Sequence, residues 1–220
     1  AKMARTRKRP IPGASIMPRQ ALIWGLLLAV VSTVFLWNIG GWIAGAVGLG
    51  TIVFYVVVYT MYLKPRTVQN IVIGGAAGAT TPLIADAALN GELGMGSFLL
   101  FLIVFFWTPP HVWAIALYRK SEYEQAGIPM MPSKVGDQPT RWRMLGYTVL
   151  LTGVSLTPVM IGYMTEAYGV VAALMGAWLI WRNIGVIRAA DNVTDRSFFM
   201  DTNYYLLGLF GMMVLDAFLM

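Results

Sequence analysis

Residues 95–118 read MGSFLLFLIVFFWTPPHVWAIALY, a run without a single Lys, Arg, Asp or Glu. About 20 mostly apolar residues are enough for a helix to cross the hydrocarbon core of a bilayer, so this stretch predicts a transmembrane helix. Pro109 and Pro110 interrupt it, because two prolines remove helix hydrogen-bond donors and kink the axis. Lipid tolerates such a kink only where protein or a cavity satisfies the freed backbone groups.

The composition extends this interpretation to the whole chain of 220 residues, of which 58% are hydrophobic and 12% charged. Soluble globular proteins have roughly 45–50% and 25%, so much of the apolar surface must face lipid. A soluble enzyme, a disordered chain and a collagen-like fibre are excluded. The absence of cysteine excludes disulfide scaffolds, thiolate metal sites and Cys nucleophiles, and the single histidine excludes a multi-His zinc site.

Seven segments are long and apolar enough to span a bilayer, and the sequence therefore predicts an all-α, polytopic transmembrane helix bundle. These segments are 20–38, 41–61, 70–89, 95–118, 144–164, 167–184 and 203–220. The third is the least hydrophobic, and its Gly74, Gly75 and Gly78 predict close packing against other helices.

The distribution of basic residues predicts the orientation. All 16 Lys and Arg residues lie in segments 1–19, 62–69, 119–143 and 182–202, which alternate with the seven spans. The positive-inside rule places these four segments in the cytoplasm. Asp86 and Asp216 then fall near the outer ends of their helices, where we expect them to be solvated.

The cytoplasmic segments combine basic and acidic side chains in a way that predicts more than a topology signal. The relevant residues are Arg5, Arg9, Lys64, Arg66, Asn70, Arg119, Lys120, Glu122 and Glu124. Clustered Arg and Lys suit a phosphate or diphosphate, and neighbouring carboxylates suit Mg²⁺. An anionic-lipid patch would explain the basic residues but not the acidic ones. We therefore expect a diphosphate to be held by cations and Mg²⁺ at this face, with an apolar remainder inside the bundle.

His111 lies eight residues before Arg119, hence about 12 Å along a regular helix. Ionisable residues inside a membrane are costly and are functional candidates by default. We predict that His111 handles a proton or contacts a bound ligand; packing at the kink is the alternative.

Several motifs resemble those of the protohaem IX farnesyltransferases (haem O synthases), a family of intramembrane aromatic prenyltransferases. They are Met3-x-Arg5-Thr6-x-x-Arg9-Pro10, Tyr59-Thr60-x-x-Leu63-Lys64-x-Arg66-Thr67-x-x-Asn70, Trp107-x-Pro109-Pro110-His111-x-Trp113 and Tyr118-Arg119-Lys120-x-Glu122-Tyr123 through Gly127-Ile128-Pro129-x-x-Pro132. The resemblance runs from residue 1 to about 216. Glu122 stands where the family usually has Asp, and Ser133-Lys134 replace an apolar pair.

The resemblance implies one prenyltransferase domain over residues 1–220, with nine helices expected around a lipid-open cavity and seven present, the first two helices and the first Asp-rich motif being absent. It implies transfer of a farnesyl group from farnesyl diphosphate to a vinyl group of haem b in the bacterial inner membrane, with Mg²⁺ as cofactor. Haem A synthase or the machinery that assembles cytochrome oxidase would be its partner, and no nucleic-acid partner is expected.

The resemblance also implies roles for individual residues. His111, Glu122 and Lys64 are expected to be catalytic. Glu122 and Glu124 are expected to bind Mg²⁺. Substrate orientation falls to Tyr59 and Asn70. Diphosphate or propionate binding falls to Arg5, Arg9, Lys64, Arg66, Arg119 and Lys120.

Two other functions remain open. A related prenyltransferase acting on a quinone precursor such as 4-hydroxybenzoate would share the metal and diphosphate chemistry, but not the Pro-Pro-His-x-Trp motif. A non-enzymatic transporter predicts inverted repeats and charges near the midplane, whereas the charges here collect at one face.

Overall fold

The computed structural model describes residues 8–218, and all regular structure within them is helical. The helices are α1 (Pro18–Ile39), α2 (Gly41–Val53), α3 (Lys64–Arg66), α4 (Asn70–Ala79), α5 (Thr81–Asn90), α6 (Met95–Tyr118), α7 (Lys120–Gln125), α8 (Met131–Val135), α9 (Asp137–Met160), α10 (Glu166–Ala189) and α11 (Asn192–Asp216). A π-helical stretch, Phe54–Leu63, joins α2 to α3.

Seven long helical segments run back and forth, as the sequence predicts. Six of them, among the described residues, are long and apolar enough to cross a membrane: Pro18–Ile39, Gly41–Arg66, Asn70–Asn90, Met95–Tyr118, Glu166–Ala189 and Asn192–Asp216. The seventh, α9, has the same length as α6 but begins with polar and charged residues. The molecule is therefore an all-helical integral membrane protein.

The last three predicted spans differ from the helices in their bounds. Helix α9 begins at Asp137 rather than 144, α10 ends at Ala189 rather than 184, and α11 begins at Asn192 rather than 203. Hydropathy locates only the apolar part of a helix, whereas these helices continue through charged residues, among which Arg141 pairs with Asp195 and Arg182 with Asp201. Residues 182–202 are thus mostly helical instead of forming a long loop.

Helix α6 remains helical through Pro109 and Pro110, both of which are buried. The predicted single span over 95–118 is therefore confirmed, as is the expectation that protein covers the middle of this helix. Helix α4 covers part of this region, since a Cβ added at Gly75 would lie 3.0 Å from Thr108 Cγ2. The glycines of α4 thus allow the close helix packing that the sequence predicts.

The core lies in a closed ring of four helices, in which α6 packs on α9, α9 on α10, α10 on α11 and α11 on α6. Trp113, Tyr168, Phe198 and Tyr205 fill its interior. Tyr168 and Tyr205 donate hydrogen bonds of 2.8 Å to Ser155, so the buried hydroxyl groups are satisfied without water. Helices α4 and α5 pack outside this ring on α6, α2 packs on α5, and α1 packs on α2.

Two acidic residues brace one end of the bundle, contrary to the expectation that they are solvated. Asp86 is half-buried and accepts hydrogen bonds of 2.6 Å from Gly94 N and Ser97 Oγ. Asp216 is fully buried, and its carboxylate accepts a hydrogen bond of 2.8 Å from Thr165 N. These carboxylates satisfy donors at the starts of α6 and α10, and an anion is favourable there because helix N-termini carry partial positive charge.

The opposite end of the bundle, named the basic end, comprises residues 8–19, 62–69, 119–143 and 182–202. These segments contain all Lys and Arg among the described residues. The two ends of the bundle therefore differ in charge.

Candidate active site

Asn70 joins two of the segments that carry predicted site residues. It is 1% exposed at the start of α4, and its Nδ2 donates to Thr67 O at 2.5 Å and to Pro129 O at 3.1 Å. The side chain thus ties residues 62–69 to the segment that follows α7. Its amide nitrogen bonds to two backbone carbonyls, so the contact that the structure gives Asn70 is one that positions these two loops.

Glu124 lies between two cavities at the basic end. The first, about 370 Å³, is also lined by Arg66, Ser133 and Lys134. The second, about 350 Å³, is also lined by Lys120 and Asp137. The Ser133 hydroxyl is buried and has no hydrogen-bond partner among the described residues. The first cavity therefore combines cationic donors, a hydroxyl and a carboxylate, which is the chemistry that binds a phosphate with a bridging cation.

Arg119 and Lys120, both predicted anion ligands, form ion pairs within this loop. Arg119 Nη1 lies 3.2 Å from Glu122 Oε1, and Lys120 Nζ lies 2.8 Å from Asp137 Oδ1. Arg119 Nε also donates to the Tyr118 hydroxyl at 3.0 Å, and this hydrogen bond raises the pKa of the guanidinium. Both cations are held in place by carboxylates, so an arriving anion would meet oriented donors rather than freely rotating ones.

Lys64 and Arg66 each lie near an aromatic ring. Lys64 Nζ is 5.8 Å from the centroid of the Tyr59 ring, and the Arg66 guanidinium carbon is 4.8 Å from that of Tyr62. Arg66 Nη1 donates to Met61 O at 2.9 Å and Tyr62 O at 3.2 Å. In a π-helix, hydrogen bonds run five residues along, which rotates side chains relative to an α-helix. Arg66 lines the first cavity, whereas Lys64 lies near the Tyr59 ring and lines neither cavity.

His111 lies apart from these charges, in an aromatic slot between α6 and α11. Its ring stacks on Trp107, with centroids 4.1 Å apart, and lies 4.5 Å from the ring of Phe199. His111 Nδ1 is 2.8 Å from Thr202 Oγ1, and Thr202 Oγ1 donates its hydrogen to Phe199 O at 2.7 Å. Because a hydroxyl has one hydrogen, Nδ1–H must be the donor to Oγ1, which leaves Nε2 as an acceptor in neutral imidazole.

The structure brings together only part of the predicted site. Arg66 and Glu124 share one cavity, Lys120 and Glu124 share the other, and Glu122 is paired with Arg119. Arg9 is exposed before α1, and its side chain makes no hydrogen bond or ion pair with the part of the chain that the structure describes. Arg5 lies outside the described residues.

Sequence reasoning missed four contributing residues. Lys134 and Ser133 line the first cavity, although in the sequence they stand out only as departures from the family pattern. Asp137 holds Lys120, and an acidic residue directly after Gly136 at the start of a helix is the signal that points to it. Thr202 lacks such a signal, because a threonine within an apolar helix more often bonds to its own backbone.

The available donors fit Mg²⁺ in kind. Glu122 and Glu124 supply carboxylate oxygens, which are the hard ligands that this cation prefers. Within residues 8–218, no three His, Asp or Glu side chains lie close enough to hold a metal ion. Magnesium usually binds through one or two carboxylates and completes its shell with substrate phosphate and water. Glu124 lines both cavities, whereas Glu122 lines neither and is paired with Arg119, so Glu124 is the predicted metal ligand that lies beside a phosphate-sized cavity.

Comparison with solved structures supports the fold. The chain superposes on a structure described as digeranylgeranylglyceryl phosphate synthase in membranes with a TM-score of 0.83. The match covers 99% of this chain and 76% of the other, at 15% sequence identity. At this identity the likeness concerns the arrangement of helices alone.

Sequence comparison places the chain more narrowly. It is 43% identical to protoheme IX farnesyltransferase 2 of Mesorhizobium japonicum over 99% of this chain and 70% of that relative. It is 45% identical to a protoheme IX farnesyltransferase of Rhodopseudomonas palustris, over 99% of this chain and 71% of the relative. A third such relative, from Methylobacterium nodulans, is 44% identical over 100% of this chain and 67% of its own length. Residues 1–207 match the UbiA prenyltransferase family, and with relatives this similar along its whole length, the chain belongs to that family.

Proposed function

We propose that this protein transfers the farnesyl group of farnesyl diphosphate to a vinyl group of haem b, giving haem O and diphosphate. The observation that carries this proposal is the 43–45% identity, along nearly the whole chain, to relatives that are named protoheme IX farnesyltransferases. The Trp107-x-Pro109-Pro110-His111-x-Trp113 motif supports haem b over a quinone precursor, because the resemblance to this family rests partly on it.

The balance of the reaction defines what the site must supply. The bond between farnesyl C1 and the diphosphate oxygen breaks, and a bond from C1 to the terminal vinyl carbon forms. Water adds to the other vinyl carbon and loses a proton, while diphosphate leaves with the electron pair of the broken bond. The site must therefore stabilise negative charge on the leaving group and accept one proton.

The basic end is suited to the leaving group. Arg66 and Lys134 border the first cavity, and Lys120 borders the second. Preorganised cations stabilise charge as it develops, which is usually the largest single contribution to catalysis. Magnesium, when bound through Glu122 and Glu124, would supply further charge neutralisation on the diphosphate.

His111 is proposed as the proton acceptor, or as a contact of the porphyrin. Thr202 and the flanking rings orient the imidazole, and its Nε2 is available to accept a hydrogen. The surrounding apolar bundle would exclude water from the reactive allylic carbon until the bond to the vinyl group has formed.

The proposal includes orientation and location. The protein would reside in a bacterial inner membrane with the basic end in the cytoplasm, because positively charged loops are retained on that side. Farnesyl diphosphate would then enter with its charged end at the cavities and its isoprenoid chain among the helices.

A substrate comparison tests the function. Purified protein in lipid vesicles is incubated with farnesyl diphosphate, Mg²⁺ and either haem b or 4-hydroxybenzoate, and products are separated by chromatography with mass detection. We expect haem O from the first mixture and no prenylated product from the second. Product from 4-hydroxybenzoate alone would assign the protein to quinone synthesis instead.

Variants of Glu122 test the metal and diphosphate chemistry. Glu122→Ala should abolish haem O formation, whereas Glu122→Asp retains a carboxylate and should keep most of the activity. Glu92→Ala, an exposed acidic residue at the other end of the bundle, is the control and should behave as wild type. A chelator should stop the wild-type reaction and added Mg²⁺ should restore it. Wild-type turnover by Glu122→Ala would remove this residue from the site.

A further inference from the structure

A small groove lies on the outer face of α10, near its end at the basic side of the molecule. Its cavity of about 260 Å³ is lined by Trp181, Arg182, Ile184, Gly185 and Arg188. None of these residues lines the two cavities beside Glu124. The groove is therefore separate from the candidate active site.

The two arginines in the groove differ in their partners. Arg182 Nε lies 2.6 Å from Asp201 Oδ2, and its Nη2 donates to Ser197 Oγ at 2.6 Å, so α11 holds this guanidinium in place and balances its charge. Arg188 is exposed in the last turn of α10 and has no ion pair among residues 8–218. The groove therefore presents one uncompensated positive charge beside a fixed, neutralised guanidinium.

The lining of the groove changes from apolar to charged along the helix axis. Trp181 and Arg188 are seven residues apart, hence about 10 Å along the helix. Between them, a Cβ added at Gly185 would meet no atom within 4 Å, so the space over the helix backbone is open. Trp181 is 66% exposed and lies deeper along the span, while Arg188 lies at the helix end. Tryptophan at this depth and arginine at the surface match the interfacial and headgroup layers of a bilayer.

We propose that this groove binds an anionic phospholipid of the leaflet at the basic end. The phosphate would lie at Arg188 with the second guanidinium, Arg182, beside it. The glycerol region would occupy the open space over Gly185, and an acyl chain would run along the Trp181 ring. A guanidinium suits phosphate because its planar donors match two phosphate oxygens.

The experiment measures lipid retention by native mass spectrometry of the detergent-purified protein. Phosphatidylglycerol and phosphatidylcholine with the same acyl chains are added in equal amounts. We expect wild type to retain phosphatidylglycerol preferentially, and Arg188→Gln to lower this retention by about fivefold, the effect of one basic residue near an anionic surface. Equal retention of the two lipids by wild type would overturn the proposal.

Two further variants separate the groove from general charge. Gly185→Leu fills the open space without changing any charge, and it should lower retention as much as Arg188→Gln. Because leucine has a better helix propensity than glycine, this variant should fold; its circular dichroism and thermal unfolding are compared with wild type. Arg196→Gln removes an exposed charge from α11 outside the groove and should leave retention unchanged.

Each variant can overturn the proposal. Wild-type retention by folded Gly185→Leu would show that the groove is not the binding place, and an equal loss in Arg196→Gln would show that only net charge matters. An excess of inorganic phosphate distinguishes the two sources of the anion. Phosphatidylglycerol should stay bound in its presence, and displacement by phosphate would assign the groove to a free anion.

Discussion

The orientation of the His111 imidazole is set by Thr202, a residue that is far away in the sequence. Thr202 accepts from Nδ1 of the imidazole through its hydroxyl, and accepts from Trp107 Nε1 through its backbone carbonyl at 2.7 Å. The tautomer and the ring orientation of His111 are therefore set by α11. In the proposed role of His111 as proton acceptor, its lone pair must face the reacting atom, so Thr202 is expected to act as a positioning residue.

Replacing Thr202 tests this role. Thr202→Val keeps the shape and the backbone contact with Trp107 but removes the acceptor of Nδ1–H, which leaves a buried donor unsatisfied. We expect the rate of haem O formation to fall roughly tenfold, the effect of about 1.4 kcal/mol, with a changed pH profile. Thr202→Ser retains the hydroxyl and should restore both. Unchanged turnover in Thr202→Val would mean that His111 orientation does not limit the reaction.

At the scale of helices, two glycines of α4 differ in how closely other residues pack against them. A Cβ built at Gly74 would lie 2.2 Å from Tyr59 Cδ2, far inside contact distance, whereas one at Gly78 would meet no atom within 4 Å. Both residues lie in the same helix. Gly74 therefore allows the π-helical stretch to bring Tyr59 onto α4.

A pair of alanine substitutions measures this difference. Gly74→Ala should lower the free energy of unfolding by about 1–3 kcal/mol, because an overpacked contact forces neighbouring groups to move. Gly78→Ala should be neutral or should raise it by up to about 1 kcal/mol, since alanine is the better helix former. Thermal unfolding in one detergent gives both values. Equal effects of the two substitutions would contradict the close packing of Tyr59.

Helices α9 and α11 are joined by a buried ion pair. Arg141 Nε and Nη2 donate to the two carboxylate oxygens of Asp195 at 3.0 and 2.6 Å, and both side chains are nearly inaccessible. Residue 141 follows the loop that carries Lys120 and Glu124, so this pair anchors the base of that loop. The bidentate geometry combines charge with a fixed direction.

Removing one partner of this pair should lower the free energy of unfolding strongly, whereas replacing both partners with apolar residues should lower it little. Arg141→Met leaves Asp195 buried without its cation and should lower the free energy of unfolding by about 3–5 kcal/mol. The double variant Arg141→Met/Asp195→Leu should recover most of this loss, because a buried ion pair is often no more stable than a well-packed apolar pair. Denaturant titration of the three proteins checks this. A double variant less stable than Arg141→Met would contradict the interpretation.

For the whole molecule, the charges define two unlike ends. The basic end contains paired arginines and lysines around two cavities, and the opposite end contains carboxylates that cap helices. The chain has no cysteine, so its orientation can be measured without a background signal.

Single cysteine variants test the orientation in bacterial cells. Ser121→Cys and Glu92→Cys place one thiol at an exposed position at each end. Because positively charged segments are retained in the cytoplasm, a membrane-impermeant maleimide added to spheroplasts should label the Glu92 variant only. After permeabilisation both should react. Labelling of the Ser121 variant in intact spheroplasts would reverse the orientation.

The apolar runs and the segregation of basic residues were enough to predict an all-helical membrane bundle, because lipid accepts only segments that satisfy their own backbone. Hydropathy failed at the starts of α9 and α11, since Arg141 and Asp195 are polar in sequence yet buried as a pair. It also misjudged Asp86 and Asp216, whose partners come from other turns and helices. Sequence gives the type of a side chain but not the identity of the group that neutralises it.

The sequence by itself determined the membrane class, the number of long helices, the polarity of the two ends and the residue types available for diphosphate chemistry. Only the tertiary structure decided which of those residues meet: Arg66 and Lys134 come together beside Glu124, and His111 is held by Thr202. The physical reason is that apolar character and charge act locally along the chain. Hydrogen bonds and ion pairs, by contrast, depend on distances between helices that are set by packing.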